Sequence, residues 1–124
     1  VMEAKAAMTD LLTAHPDAEY IVVTGINDQV CAGGLAALEA ADREENAVIC
    51  SLGSDSSFLK QLQATKGEGA WKAAVSFGPE LYGEALVPLI EKVLAGEEIA
   101  DENLMSHMVI DKDTVAEYYP DYGF

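Results

Sequence analysis

Three short polar clusters each follow an apolar run: Asn27-Asp28, Ser54-Asp55 and Ser76-Phe77. Together they offer an amide, carboxylates, hydroxyls and an aromatic face. A carboxylate accepts hydroxyl hydrogens, an amide both donates and accepts, and an aromatic ring covers the apolar side of a small ring compound. If the clusters meet, that set suits a neutral, polyhydroxylated ligand. The same residue types are ordinary helix N-caps, and capping alone accounts for any one of them equally well. Asp28 and Asp55 could instead pair as acid and base, although no nucleophile or third group accompanies them.

Other chemistry finds little support. The chain has no G-x-G-x-x-G, no G-x-x-x-x-G-K-[ST] and no G-x-S-x-G, so dinucleotide, P-loop and hydrolase-elbow readings fail. Its two histidines, His15 and His107, lie away from the clusters in sequence. Cys31 and Cys50 lack any metal-ligand spacing and read as two buried free thiols. We therefore expect no metal, no cofactor and no catalysis.

The elements that must position the clusters follow from the apolar patterning. Residues Val1 to about Ala14 read as a helix with Met8, Leu11 and Leu12 on one stripe, stopped by His15-Pro16-Asp17. His15 then serves as a cation at the helix C-terminus. Tyr20-Ile21-Val22-Val23 is a continuous apolar run, which predicts a strand buried on both faces. Asn27 or Asp28 starts the next helix, which carries Val30, Leu35 and Leu38. Ala47 to Leu52 is a second buried strand, leading through Gly53 to Ser57 into a short helix with Phe58, Leu59 and Leu62. Ala70 to Ser76 is a third strand, interrupted by Lys72 and so expected near an edge. Pro79 opens a helix running to Leu94 and ending at Ala95-Gly96, with Pro88 in its interior. The tail, 101–124, holds a short strand around Met108-Val109-Ile110 and then a loop or helical turn with exposed Tyr118, Tyr119 and Tyr122.

Strands alternating with helices imply an α/β fold with a mainly parallel sheet and right-handed crossovers, a three-layer α/β/α sandwich. In such a sheet all three clusters fall at the carboxyl edge of the strands, where ligands bind. The chain has 124 residues, of which 50% are hydrophobic and 23% charged, as expected for one globular domain with a sizeable core. Seven basic against 22 acidic residues give a net charge of −15, which disfavours nucleic acid and anionic membrane surfaces as partners. No apolar stretch is long enough to span a bilayer. The opening helix lacks a preceding strand, and the chain reads as a piece of something longer.

The run LLTAHPDAEYIVVTGINDQVCAGGLAALEAA resembles the C-terminal lobe of type I periplasmic sugar-binding proteins, the ribose/galactose-binding class. AVICSLGSDSSFLKQL is similar to that family's strand ending in Gly-x-Asp. WKAAVSFGPELYGEALVPLIEKVLAGE is similar to its third strand and Pro-started helix. The resemblance covers Val1 to about Ile110 and implies a flavodoxin-like lobe, 1–124, with 101–124 an extended tail and the N-terminal lobe absent. It implies that Asn27 and Asp55 bind ligand, with Ser54, Asp28 and Phe77 beside them. A polar residue is expected where Phe77 stands, which points away from ribose toward a different sugar or a more apolar ligand. The implied role is the solute-binding component of an ABC importer, periplasmic or extracellular and conceivably lipid-anchored, with a sugar-like ligand and a membrane permease as partners. The same lobe occurs in LacI-type regulators, the alternative role; this chain carries no DNA-binding headpiece and no basic patch.

Overall fold

A computed structural model describes residues 1–124. Helix α1 spans Met2–Ala14, strand β1 Ile21–Thr24 and helix α2 Asp28–Ala40. They are followed by β2 (Ala47–Gly53), α3 (Ser56–Thr65) and β3 (Trp71–Ser76). Helix α4 (Tyr82–Leu94), β4 (Met108–Ile110) and a single helical turn, α5 (Val115–Tyr118), complete the chain. The sheet order is β1-β2-β3-β4. β1, β2 and β3 are parallel, and β4 returns antiparallel to β3. This is the mainly parallel α/β architecture that the alternation of patterns predicts.

One core cluster lies on one face of the sheet. Cys31, Leu35 and Leu38 of α2 and Phe58, Leu59 and Leu62 of α3 pack over Ala47, Ile49, Trp71, Ala74 and Ile110. Val115 of α5 closes the cluster, and Met8 and Leu12 of α1 lean on it. The Trp71 and Phe58 rings meet with centroids 5.4 Å apart at a tilt of 53°, an arrangement favoured by the ring quadrupoles. α1 approaches α2 closely because Gly33 has no side chain. A Cβ there would stand 2.5 Å from the Val1 carbonyl oxygen and 2.9 Å from Ala4 Cβ.

Several expectations are corrected. β1 is not buried on both faces: its exposure alternates, and Val22 is 76% exposed. The strand order makes it an edge strand, and the covering helices lie on one face only. On the opposite face Val48, Cys50 and Val109 are exposed too. Cys50 is therefore an exposed thiol, whereas Cys31 is buried, and both are free. β3 is interior rather than near an edge, with Lys72 reaching back to the carbonyls of Gly67 and Glu68. Pro88 lies inside α4, no residue of which is buried, and Pro79 opens a separate 3₁₀ turn before it. His15 is the C-terminal cap residue of α1. The cation that satisfies the orphaned carbonyls there is Arg43, whose guanidinium donates to Leu12, His15 and Ala18 oxygens. In the tail, Tyr118 is exposed as expected, but Tyr119 and Tyr122 are half-buried against the core.

The first two strand ends are joined by a buried carboxylate. Asp28, at the start of α2, is 1% exposed. Its Oδ1 accepts the Ser51 hydroxyl of β2, and its Oδ2 accepts the backbone N–H of Asp55. Ser51 Oγ in turn accepts from Trp71 Nε1 at 3.0 Å. Gly53 makes room: at φ +135° it adopts a conformation that side chains resist, and a Cβ would lie 2.7 Å from Asp28 Oδ2. Burial raises the Asp28 pKa above its ordinary 3.8, opposed by its hydrogen bonds.

Gly33→Ala should lower stability by about 1–3 kcal/mol through overpacking. Gly83→Ala, in α4 with open space around it, should raise stability by about 0.5–1 kcal/mol. A urea midpoint that rises in Gly33→Ala would refute the close approach. The raised Asp28 pKa means the folded state holds that proton more tightly than the unfolded chain. Its contribution is complete below pH 3.8 and is lost as pH rises through the folded-state pKa. The stability difference between wild type and Asp28→Asn, measured by urea unfolding across a pH series, should therefore be largest at the acid end and shrink upward. A thiol reagent should modify Cys50 in the native protein and Cys31 only on unfolding, because burial pushes the Cys31 thiol up to about 11.

Candidate functional site

The three strand-to-helix junctions converge at the carboxyl edge of β1, β2 and β3 on a cleft of about 400 Å³. Asn27, Asp28, Ser54, Asp55 and Phe77 all line it. A larger hollow, about 490 Å³, lies between α1 and the β1 edge. It is walled mainly by apolar side chains such as Met8, Leu11 and Val22. Convergent polar groups mark a specific binding site better than volume does, so the junction cleft is the candidate.

Asn27 and Asp55 each commit one side-chain atom to a helix start and leave the other unengaged. Asn27 is the N-cap of α2: its Oδ1 accepts the Val30 N–H at 2.9 Å. Its Nδ2 has no partner in the protein. Asp55 is the N-cap of α3. Its Oδ1 accepts the Ser57 N–H at 2.7 Å, the Phe58 N–H at 3.4 Å and the Ser57 hydroxyl. Its Oδ2 makes no hydrogen bond. The capping reading and the ligand reading therefore do not compete, because each side chain keeps one polar atom uncommitted.

The other three candidates differ. Asp28 forms part of the cleft floor with both oxygens already bonded within the protein. It cannot act as the free partner of an acid–base pair with Asp55. Ser54 stands in the left-handed region at φ +66°. Its hydroxyl is buried without a hydrogen-bond partner. Phe77 is 36% exposed and meets the edge of His107, with ring centroids 5.3 Å apart and planes at 76°. His107 is thus beside the third junction despite its distance along the chain.

Glu80, Tyr82 and Tyr119 also line the cleft, and the sequence reading omits them as site residues. Glu80 directly follows Pro79 and could have been found as the next polar side chain at the third junction. Tyr119 carries no such signal, since it arrives from the tail through the packing of α5. Its hydroxyl lies 2.8 Å from Ser76 Oγ and 3.2 Å from Glu80 Oε1. Burial raises the Tyr119 phenol above its ordinary value, and the neighbouring Glu80 carboxylate adds to that. Among the lining residues the charged side chains are Asp28, Asp55 and Glu80, with no Lys or Arg. No group of three or more His, Cys, Asp or Glu side chains is placed to hold a metal ion. The arrangement can accept hydrogen bonds from a ligand and cover an apolar face of it.

No protein-family model matches the chain, and no match is found among curated proteins. Solved structures do match. An ABC-transporter solute-binding protein from Agrobacterium vitis with bound allitol superposes with a TM-score of 0.80 at 22% identity, covering 96% of this chain and 40% of that one. A glucose-galactose binding protein from Geobacillus stearothermophilus, GanP, gives 0.76 at 21% identity, covering 90% of this chain and 38% of that one. The periplasmic binding protein of the arabinose ABC transporter from Shewanella sp. ANA-3, with bound arabinofuranose, gives 0.74 at 22% identity, over 96% of this chain and 39% of that one. This chain spans about 40% of the length of the structures it matches. In fold it corresponds to one part of ABC-transporter sugar-binding proteins.

Proposed function

We propose that this chain is the C-terminal lobe of a solute-binding protein that delivers a sugar or similar small polar molecule to an ABC importer. The observation that carries the proposal is the convergence of Asn27, Ser54, Asp55 and Phe77, from three separate junctions, on one cleft. The Asn27 amide nitrogen and the second Asp55 oxygen contact ligand hydroxyls, and Phe77 covers an apolar face of the ligand. Asp28 binds no ligand in this reading; it positions Asp55 from beneath. A second lobe supplies the opposite wall, and closure of a hinge completes the site. The ligand is bound and released without reaction. The protein works outside the cytoplasmic membrane, against a membrane permease, whether secreted or held by a lipid anchor. No helix of the chain is long and apolar enough to cross a membrane. Sugars bound by the structurally similar proteins support this reading over the effector lobe of a LacI-type regulator, for which no feature of the cleft speaks.

The test must separate ligand contact from capping. Asn27→Ser and Asp55→Ser each keep a cap oxygen and remove the uncommitted polar atom. Calorimetric titration of the full-length protein with D-glucose, D-galactose, L-arabinose and allitol should identify a ligand for the wild type. Each variant should then bind it roughly 10- to 100-fold more weakly, the scale of a lost buried hydrogen bond, with little change in melting. Unchanged affinity in both variants rejects the site.

A further inference from the structure

The third junction offers no hydrogen-bonding side chain at Phe77, yet it is not apolar. Glu80, one turn on, brings a carboxylate to the same wall, and a residue from the far end of the chain holds it there. Tyr119 O–H stands between Ser76 Oγ at 2.8 Å and Glu80 Oε1 at 3.2 Å. Ser76 Oγ also accepts the Gly78 N–H at 3.2 Å. An ionised carboxylate can only accept, so the single Tyr119 proton points to Glu80. Ser76 must then be the donor to Tyr119. The chain of hydrogen bonds has one direction: Ser76 to Tyr119 to Glu80. Glu80 Oε2 has no partner, and the residue is exposed at the cleft.

We propose that Glu80 is a specificity-setting, ligand-contacting residue of the cleft, presented by Tyr119 as a positioning residue, and that it restricts the ligand to uncharged polyols or amino sugars. The inference rests on the sugar-binding reading above. The unpartnered Glu80 oxygen at the cleft wall can only accept, so it favours a ligand donor there, a hydroxyl or an ammonium group. A carboxylate or phosphate on the ligand meets repulsion there and again at Asp55, with no Lys or Arg among the lining residues to offset it. Tyr119 stays protonated at neutral pH, since burial raises its phenol, and so remains able to hold Glu80.

The test is calorimetric titration of the full-length protein as wild type, Glu80→Gln and Tyr119→Phe with matched triads: D-glucose, D-glucosamine and D-glucuronate, and the three galactose counterparts. Wild type should bind a neutral or amino sugar at least about tenfold more tightly than its matched uronate, the scale of one hydrogen bond to a charged group. Glu80→Gln should shrink that ratio, and Tyr119→Phe should shrink it partially while melting within a few degrees of wild type. A loss of packing alone would weaken all three members of a triad equally and leave the ratio unchanged. Wild type binding a uronate as tightly as its neutral parent, or an unaltered ratio in Glu80→Gln, overturns the proposal and leaves the sugar-binding reading standing. No binding of any triad member, nor of L-arabinose or allitol, by the full-length protein overturns both.

Discussion

A carboxylate taken out of water has to be met by donors, and in this chain that requirement fixes the geometry of the cleft. Asp28 is buried where α2 begins, and its two oxygens are satisfied from two other places: the Ser51 hydroxyl of β2 and the Asp55 backbone. Removing either donor leaves a buried polar oxygen unsatisfied, which costs more than losing an exposed hydrogen bond would. The first and second junctions are thereby locked to one another rather than merely adjacent. Trp71 extends the lock to β3 by donating to Ser51. The rim residues are loop residues, but the polar network beneath them belongs to the core.

Much of the architecture was legible in the sequence because it rests on short-range patterns. The apolar runs at 20–23, 47–52 and 70–76, each followed by Gly, Asn, Asp or Ser, specify strand, turn and helix locally. Strand alternation with helices then constrains the topology. What was not legible depends on neighbours. Val22 has the residue type of a core position, yet sheet order leaves it exposed. Lys72 looks like an edge residue, yet its strand is paired on both sides because β4 returns from the tail. The site divides in the same way. Asn27, Ser54, Asp55 and Phe77 could be named from their place behind strands. That Asp28 is spent on structure, that His107 meets Phe77 edge-on and that Tyr119 reaches Glu80 all require long-range packing that no local pattern encodes.

The uneven cover of the sheet follows from the same topology. Two parallel crossovers place α2 and α3 on one face, and α1 and α5 join them. β3 and β4 are antiparallel neighbours, so the segment joining them is under no obligation to cross the sheet. That segment includes α4, and no residue of it is buried. Its apolar side, with Leu86, Ile90 and Val93, is left facing solvent. The cleft does not depend on that surface. Apart from Tyr82 at the start of α4, its walls are the strand ends, the caps of α2 and α3, the turn carrying Glu80, and Tyr119.

The division of labour within Asp55 has a consequence for how such a cleft can diversify over generations. One of its oxygens starts α3 and the other makes no hydrogen bond, so inheritance of the helix start constrains the residue independently of any cargo. Only side chains that can cap, such as Asn, Ser or Thr, are cheap replacements there. Phe77 carries no comparable duty toward a helix. Drift in cargo preference is therefore channelled through position 77 and its surroundings first, while position 55 changes slowly and within a narrow chemical alphabet.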